Sequence, residues 1–94
     1  MKTEVFSNMR NLGKASSKML MKAGIQSEDQ LHAIGTIAAY VAVKRAGCSP
    51  SLNLLWAIEG ALTNRDWKDI SRDDRTSLLI QLDDYERREK WTKQ

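Results

Sequence analysis

The feature of this sequence that most constrains its fold is a nearly continuous apolar segment in the middle of the chain. Its apolar members are Leu52, Leu54, Leu55, Trp56, Ala57, Ile58, Ala61 and Leu62. On a helix these side chains cover almost the whole circumference, which is typical of a helix buried on several sides. A chain of 94 residues has room for one hydrophobic core around such a helix, since domains near this length bury roughly two-thirds of their unfolded surface. We therefore expect a single domain over residues 1–94.

Apolar residues recur with helical spacing along the whole chain, and no segment shows the sustained alternation of a β-strand. A capping box formed by Ser27 and Gln30 begins one helix, and Ser49 with Pro50 is expected to begin the central one. Glycines that follow the apolar stretches mark helix ends. The sequence predicts an all-α fold, a compact single domain of about five helices. The expected helices cover residues 14–23, 27–34, 36–46, 50–62 and 72–90.

Two expectations concern the end of the central helix and the segment that follows it. Gly60 lies inside the helix at a cost of about 1 kcal/mol relative to Ala, so we expect it to let another backbone approach closely. Residues 64–70 are interpreted as a connection in which Trp67 and Ile70 pack beneath the core. Residues 71–74 carry a second capping signal, Ser-Arg-Asp-Asp, which is expected to begin the last helix.

Composition bears on where such a chain resides. The longest apolar stretch, residues 34–43, is too short and too interrupted to cross a bilayer, which takes about 20 residues. The N-terminus lacks the apolar core and small residues of a secretory signal. Cys48 is the only cysteine, so an internal disulfide is excluded and a reducing compartment is favoured. These features predict a cytoplasmic protein that does not contact membranes.

Charge is unevenly distributed along the chain. Residues 1–47 carry seven basic and three acidic side chains, whereas residues 48–94 carry eight basic and nine acidic ones. The formal net charge of +3 therefore comes from the first half. A local basic excess favours encounter with an anionic partner.

Two blocks of the sequence resemble a known family. The first block consists of Leu12-Gly13, Ser16, Leu20, Ala23-Gly24-Ile25, Ser27, Leu31, Ile34-Gly35 and Ala38-Ala39-Tyr40. The second consists of Pro50-Ser51-Leu52-Asn53-Leu54-Leu55-Trp56-Ala57, then Glu59-Gly60-Ala61-Leu62, then Trp67. Over about residues 9–70 the chain is similar to the C-terminal domain of the TfoX (Sxy) family of bacterial competence regulators, which act in DNA transformation.

The resemblance implies a compact helical domain whose N-terminal half is helix-hairpin-helix-like, and a role in regulating natural transformation. In the two-domain members, this domain follows an N-terminal α/β domain, and the protein acts as a co-activator with the cyclic-AMP receptor protein at competence promoters. The present sequence starts at Met1 just before the matching region, so we expect a standalone version. Its expected protein partner is a transcription regulator or a separate TfoX N-terminal-type domain.

The turn Asn11–Lys14 resembles the hairpin of helix-hairpin-helix modules, in which a glycine turn opens a helix toward a phosphate. Free N–H groups and the positive end of the helix dipole make such a helix start an anion site. Lys14, Lys18 and Lys22 follow at four-residue steps and share one helix face, with Arg10 just before them. The alternative is that these lysines only solvate an outer face. The residues predicted to contact phosphates of double-stranded DNA are Arg10, Gly13, Lys14, Lys18 and Lys22.

Other polar residues are assigned structural roles. Asn53 and Glu59 on the central helix are expected to satisfy loop backbone or to pair with an arginine, because buried polar groups usually serve to close hydrogen bonds. A second glycine turn, at Gly35, has fewer cations nearby and ranks below the first as a phosphate site.

The sequence carries no signature of catalysis or of a cofactor. His32 has no cysteine or histidine at ligand spacing, so no metal is expected. Nucleophile elbow, P-loop and dinucleotide motifs are absent, so we expect neither an enzyme nor a small-molecule substrate. The competing functional hypothesis is a protein–protein interaction module without nucleic-acid affinity, which would use an apolar groove near Trp67 or the C-terminal helix.

Overall fold

The computed structural model describes residue 6 and residues 9–92, with side chains as far as residue 89. Within these residues the chain forms five α-helices and no strand. The helices are α1 (Lys14–Lys22), α2 (Glu28–Arg45), α3 (Leu52–Thr63), α4 (Trp67–Asp73) and α5 (Arg75–Thr92). The prediction of a compact all-α domain is confirmed. Across the same part of the chain, no helix has both the length and the apolar character needed to cross a membrane.

α3 forms the centre of the core, as its all-round apolar sequence predicts. It packs against both α2 and α4. Leu55 and Ile58 are fully buried, and Trp56 is 3% exposed. Each such side chain contributes about 1.5–3 kcal/mol through burial alone. The residues from other segments that are fully buried around α3 include Phe6, Leu20, Leu31, Val43 and Ile70.

α2 begins after Ser27, which caps it, and bends at Gly35. Ser27 Oγ accepts the Gln30 N–H at 3.1 Å, as the capping box predicts. A capping box also pairs the Gln30 side chain with the Ser27 N–H. Here Gln30 Oε1 instead accepts the N–H of Gln26, one residue earlier. At Gly35 the backbone has φ 83° and ψ 174°, a conformation essentially restricted to glycine. The predicted break at Gly35 is therefore confirmed, although the helical segments on its two sides are continuous enough to count as one helix.

α3 starts later than the sequence predicts. Ser51, and not Ser49, occupies the N-cap position, so Pro50 precedes the helix and does not lie in its first turn. Tyr40 Oη donates to the Pro50 carbonyl at 3.3 Å. The Leu54 N–H bonds to the Ser51 carbonyl at 3.1 Å, so the helix start predicted from Ser49 and Pro50 was wrong.

Residues expected to be a connection form a helix of their own, α4. Asp66 is its N-cap, and its Oδ1 accepts the Lys68 N–H at 2.8 Å. Ser71 consequently lies inside α4, where its Oγ donates to the Lys68 carbonyl at 2.9 Å. The last helix begins at Arg75, not near residue 72. The prediction was wrong because residues 71–73 still belong to α4, so that α5 begins only after Asp74.

Candidate functional site

The candidate site is built on the turn that precedes α1, residues 9–13, which we call the Gly13 turn. The Leu12 N–H donates to the Met9 carbonyl at 3.3 Å. Asn11, the third residue of this turn, has φ 74°, a left-handed conformation that asparagine tolerates better than most residues. Leu12 is 5% exposed and anchors the turn to the core, while Gly13 lies exposed at the start of α1.

α1 starts at Gly13, which has no side chain to cap the helix. Gly13 is the N-cap residue, and its carbonyl accepts the Ser17 N–H at 2.9 Å. No side chain in the described part of the chain caps the first N–H groups of α1, and its first turn carries no acidic residue. A helix start of this kind combines free N–H donors with the positive end of the helix dipole, and it attracts anions.

Three lysines continue from this helix start along α1. Lys14, Lys18 and Lys22 are all exposed, and successive members lie about 6 Å apart along the helix axis. No carboxylate of the described residues comes within 4.0 Å of these three amines. We call these residues the lysine row. It is a strip of positive charge that no described ion pair neutralises.

The other side of α1 faces the core and orients the lysine row outward. Ser17 and Leu20 are fully buried. Ser16 is half-buried at the edge of this face. Ser17 Oγ has no hydrogen-bond partner among the described residues, so this position is filled by a small side chain without a polar contact.

Arg10 does not join the lysine row. Its Nη1 donates to the Asn64 carbonyl at 3.3 Å, and its Nη2 lies 4.0 Å from Asp66 Oδ2. The guanidinium therefore faces the turn between α3 and α4. Its side chain is 48% exposed, and exposed pairs of this kind are worth at most about 1 kcal/mol. The structure thus brings Gly13 and the lysine row together and places Arg10 at one side.

The second glycine turn is electrostatically less suited to a phosphate. Thr36, which follows Gly35, donates its Oγ1–H to Glu59 Oε1 at 2.6 Å. This carboxylate places negative charge beside the start of the second half of α2. Glu59 therefore has a structural role, but its partner is a threonine and not the loop backbone or arginine expected from the sequence. Among the residues the structure describes, no group of His, Cys, Asp and Glu side chains is arranged to hold a metal ion.

Sequence reasoning missed Asn11 as a member of the site. Its side chain contacts the turn between α3 and α4, more than fifty residues away in the sequence. The space it occupies exists because Gly60 has no side chain: a Cβ there would lie 2.3 Å from Asn11 Nδ2 and 2.4 Å from the Arg65 carbonyl oxygen. The close approach predicted at Gly60 is confirmed. In the sequence, Asn11 is recognisable only as an asparagine beside a Leu-Gly turn. That pattern predicts the turn but not the distant partners of the side chain.

A groove of about 300 Å³ lies beside the Gly13 turn, between α1, the start of α3 and the start of α4. Met19, Leu54 and Trp67 supply apolar surface, and Ser16 and Asn53 supply polar groups. Trp67 is half-buried. This groove is where the structure places the apolar surface that the sequence associated with a protein partner.

Comparison with curated proteins and comparison with solved structures each gave no match. The family model described as the TfoX C-terminal domain matches residues 2–82 of the 94 residues. The match contains the Gly13 turn, all of α1 to α4, and the part of α5 that carries the buried Leu78 and Leu82. By this match the chain belongs to the TfoX C-terminal domain family.

Proposed function

We propose that this chain is a competence-related regulatory module that binds double-stranded DNA through phosphate contacts. The observation that carries the proposal is the start of α1 at Gly13, which no described side chain caps, continued by the exposed lysine row, which no described carboxylate pairs. Membership of the TfoX C-terminal domain family supports the regulatory part.

The proposed contact uses the backbone of the Gly13 turn and the side chains that follow it. A phosphate oxygen accepts from the first N–H groups of α1, and Lys14 adds a full positive charge at the same place. Lys18 and Lys22 contact further phosphates. Arg10, at the side of the site, leaves Asp66 when a phosphate is near. Such contacts position a protein on DNA but do not read its sequence. Affinity should then lie in the range of non-specific binding, a Kd of roughly 10⁻⁴–10⁻⁶ M.

Choice of target genes, in this proposal, comes from a partner protein. Because the proposed contacts are to the backbone, a transcription regulator or a separate TfoX N-terminal-type domain has to supply specificity. The module itself acts without catalysis and without a cofactor, in the cytoplasm where the chromosome lies. Its contribution is additional affinity for DNA next to a bound regulator.

Salt dependence tests the proposal. We expect the affinity for a short labelled duplex, measured by fluorescence anisotropy, to fall steeply between about 50 and 200 mM salt. The lysine row alone, with three released counterions, gives a slope of log K against log salt of about −2.7, since each phosphate contributes about −0.9. Lys14→Glu should weaken binding about tenfold or more and make this slope shallower.

Arg75→Glu is the charge-matched control for this test. Arg75 is exposed and belongs to α5, so it lies outside the lysine row. The Arg75→Glu variant should bind duplex nearly as well as the wild-type chain if the contact is local to α1. Binding that does not respond to salt, or an equal loss in Lys14→Glu and Arg75→Glu, would contradict the proposal.

A second candidate function is favoured by the groove beside Trp67. Apolar surface from Met19, Leu54 and Trp67 is typical of a site for a protein segment. In that case duplex titration at low ionic strength shows no binding, and Met19→Glu abolishes association with the partner while Lys14→Glu leaves it unchanged. Pull-down of a separately expressed TfoX N-terminal domain by the wild-type chain and by both variants distinguishes the two functions.

A further inference from the structure

We infer that Asn11 is a positioning residue, which fixes the Gly13 turn to the α3–α4 turn and so aims the first N–H groups of α1 at a phosphate. The α3–α4 turn consists of residues 64–66, between the two helices. The identity of the ligand as duplex phosphate rests on the proposed function. The contacts that carry the inference do not depend on it.

Both polar atoms of the Asn11 amide are engaged by this distant turn. Nδ2 donates to the Arg65 carbonyl at 2.8 Å, and Oδ1 accepts the Trp67 N–H at 3.3 Å. A carbonyl can only accept and a backbone N–H can only donate, so the amide fits in one orientation. Trp67 is the first residue of α4, whose early N–H groups lack partners within the helix. Asn11 thus caps α4 from another part of the chain, beside the cap that Asp66 provides.

The end of α3 is shaped to receive the Asn11 side chain. Asn64 has φ 58°, and the Arg65 N–H donates to the Gly60 carbonyl at 2.8 Å. This is the bond pattern of a Schellman motif, which terminates a helix and reverses the chain. With no Cβ on Gly60, the Asn11 amide reaches the Arg65 carbonyl over the last turn of α3.

The α3–α4 turn is itself held by the rest of the fold. The Arg65 guanidinium donates to both carboxylate oxygens of Asp74, from Nη1 at 2.9 Å and from Nη2 at 3.4 Å. Asp74 is the residue at which α4 ends. Asn11 therefore bonds to a segment fixed at α3, at the start of α4 and at the end of α4.

Without this contact, the Gly13 turn is held to the α3–α4 turn only by the half-exposed Arg10 side chain, among the described residues. Its described backbone bonds, from the Met9 N–H to the Phe6 carbonyl at 3.0 Å and from the Leu12 N–H to the Met9 carbonyl at 3.3 Å, are local. Only two residues separate Asn11 from Lys14, so the direction of the first α1 N–H groups follows from how Asn11 is held. Binding to a preorganised site avoids the entropic cost of ordering it. Loss of the Asn11 amide should therefore weaken phosphate binding although every cation remains.

Asn11→Gly is the variant that isolates the side chain. Glycine adopts the positive φ of this position without strain, so the variant removes both amide bonds and keeps the backbone conformation accessible. We expect its affinity for a labelled duplex to fall about tenfold. The slope of log K against log salt should stay unchanged, because the same lysines contact the same phosphates. Partial unfolding alone would raise the apparent Kd only in proportion to the lost folded fraction, so a variant that circular dichroism shows to be at least half folded loses no more than about twofold in this way.

Thr36→Val is the matched control, since it removes one partly buried hydrogen bond, that to Glu59, and leaves the Gly13 turn intact. It should lower the melting temperature as Asn11→Gly does and keep the wild-type affinity. Wild-type affinity in Asn11→Gly, or an equal loss of affinity in Thr36→Val, would overturn the inference while leaving the proposed function in place.

Amide hydrogen exchange provides a readout that needs no DNA. Asn11→Gly should accelerate exchange at the N–H groups of Leu12 and Trp67, and Thr36→Val should not. If the wild-type chain fails to bind duplex, the proposed function fails. The contact of Asn11 with the α3–α4 turn is then tested by the exchange rates alone. Faster exchange at both amides supports it, and unchanged exchange overturns it.

Discussion

Of the chain's five glycines, Gly60 is the one at which an added methyl group would meet other atoms within 4 Å. Helix positions normally prefer Ala to Gly by about 1 kcal/mol. Here the added Cβ would lie well inside contact distance of Asn11 Nδ2 and of the Arg65 carbonyl oxygen. The Arg65 oxygen belongs to a backbone segment tied to Asp74, so it cannot move without loss. The steric cost therefore outweighs the gain in helix propensity.

We expect Gly60→Ala to lower the free energy of unfolding by about 1–3 kcal/mol, the usual cost of overpacking. Urea denaturation followed by circular dichroism measures this change. The variant should also release the Asn11 side chain, so exchange at the Trp67 amide should accelerate together with the loss of stability. A variant as stable as the wild-type chain would show that the end of α3 is free to move.

At the scale of helices, a side chain of α2 bonds to the backbone just before α3. Tyr40 is 4% exposed, and its hydroxyl bonds to the Pro50 carbonyl just before α3. Burial raises the pKa of Tyr40, nearby Lys44 lowers it, and Glu86 raises it, with an upward net result. The folded state therefore favours the neutral phenol.

This shift predicts a pH dependence that Tyr40→Phe should remove. Because the pKa of Tyr40 is raised in the folded state, its contribution to stability is complete below the ordinary tyrosine value of 10.0 and declines as pH rises through the folded value. At neutral pH we expect Tyr40→Phe to be less stable by about 0.5–1.5 kcal/mol, through loss of the hydrogen bond. Above pH 10 the difference should shrink. Urea denaturation of both proteins across this pH range measures it, and a constant difference would contradict the assignment.

At the scale of the whole molecule, charge on the two long helices is arranged so that α5 neutralises the end of α2. Lys44 Nζ lies 2.7 Å from Glu86 Oε2, and Arg45 pairs with Glu89. Arg45 also lines a groove together with Lys22, the last member of the lysine row. The basic surface of α1 would therefore continue onto α2 if these carboxylates were removed.

We expect the double variant Glu86→Gln, Glu89→Gln to bind duplex DNA more tightly than the wild-type chain. Two more cations become available, so the salt slope should steepen by up to about 1.8. The melting temperature should fall by no more than about 4–8 °C for each pair lost, since partly exposed ion pairs contribute at most about 1 kcal/mol each. Anisotropy titrations over a salt series test this. Asp83→Gln with Asp84→Gln is the charge-matched control on the same helix, and an equal gain in that variant would attribute the effect to net charge alone.

Much of the fold could be predicted because it depends on neighbours in the sequence. The capped start at Ser27 and the break at Gly35 follow from local backbone chemistry, and burial of α3 follows from its all-round apolar surface. The helix that was missed, α4, arose where two capping signals stood close together, at Asp66 and at residues 71–74. Each of them precedes a helix in the structure, α4 after Asp66 and α5 after Asp74, and local preference alone does not show that residues 71–73 still belong to α4.

In the candidate site, too, some features follow from neighbours in the sequence and others depend on the fold. Helical periodicity alone places Lys14, Lys18 and Lys22 on one face, and a glycine before a helix leaves that helix uncapped, so the sequence by itself determined a basic helix start. Whether those lysines are paired depends on which carboxylates the fold brings near, and the fold brings them to other cations. The same holds for the turn that precedes α1. Asn11 finds its partners 54 and 56 residues away, because only the packed molecule brings the end of α3 to that turn.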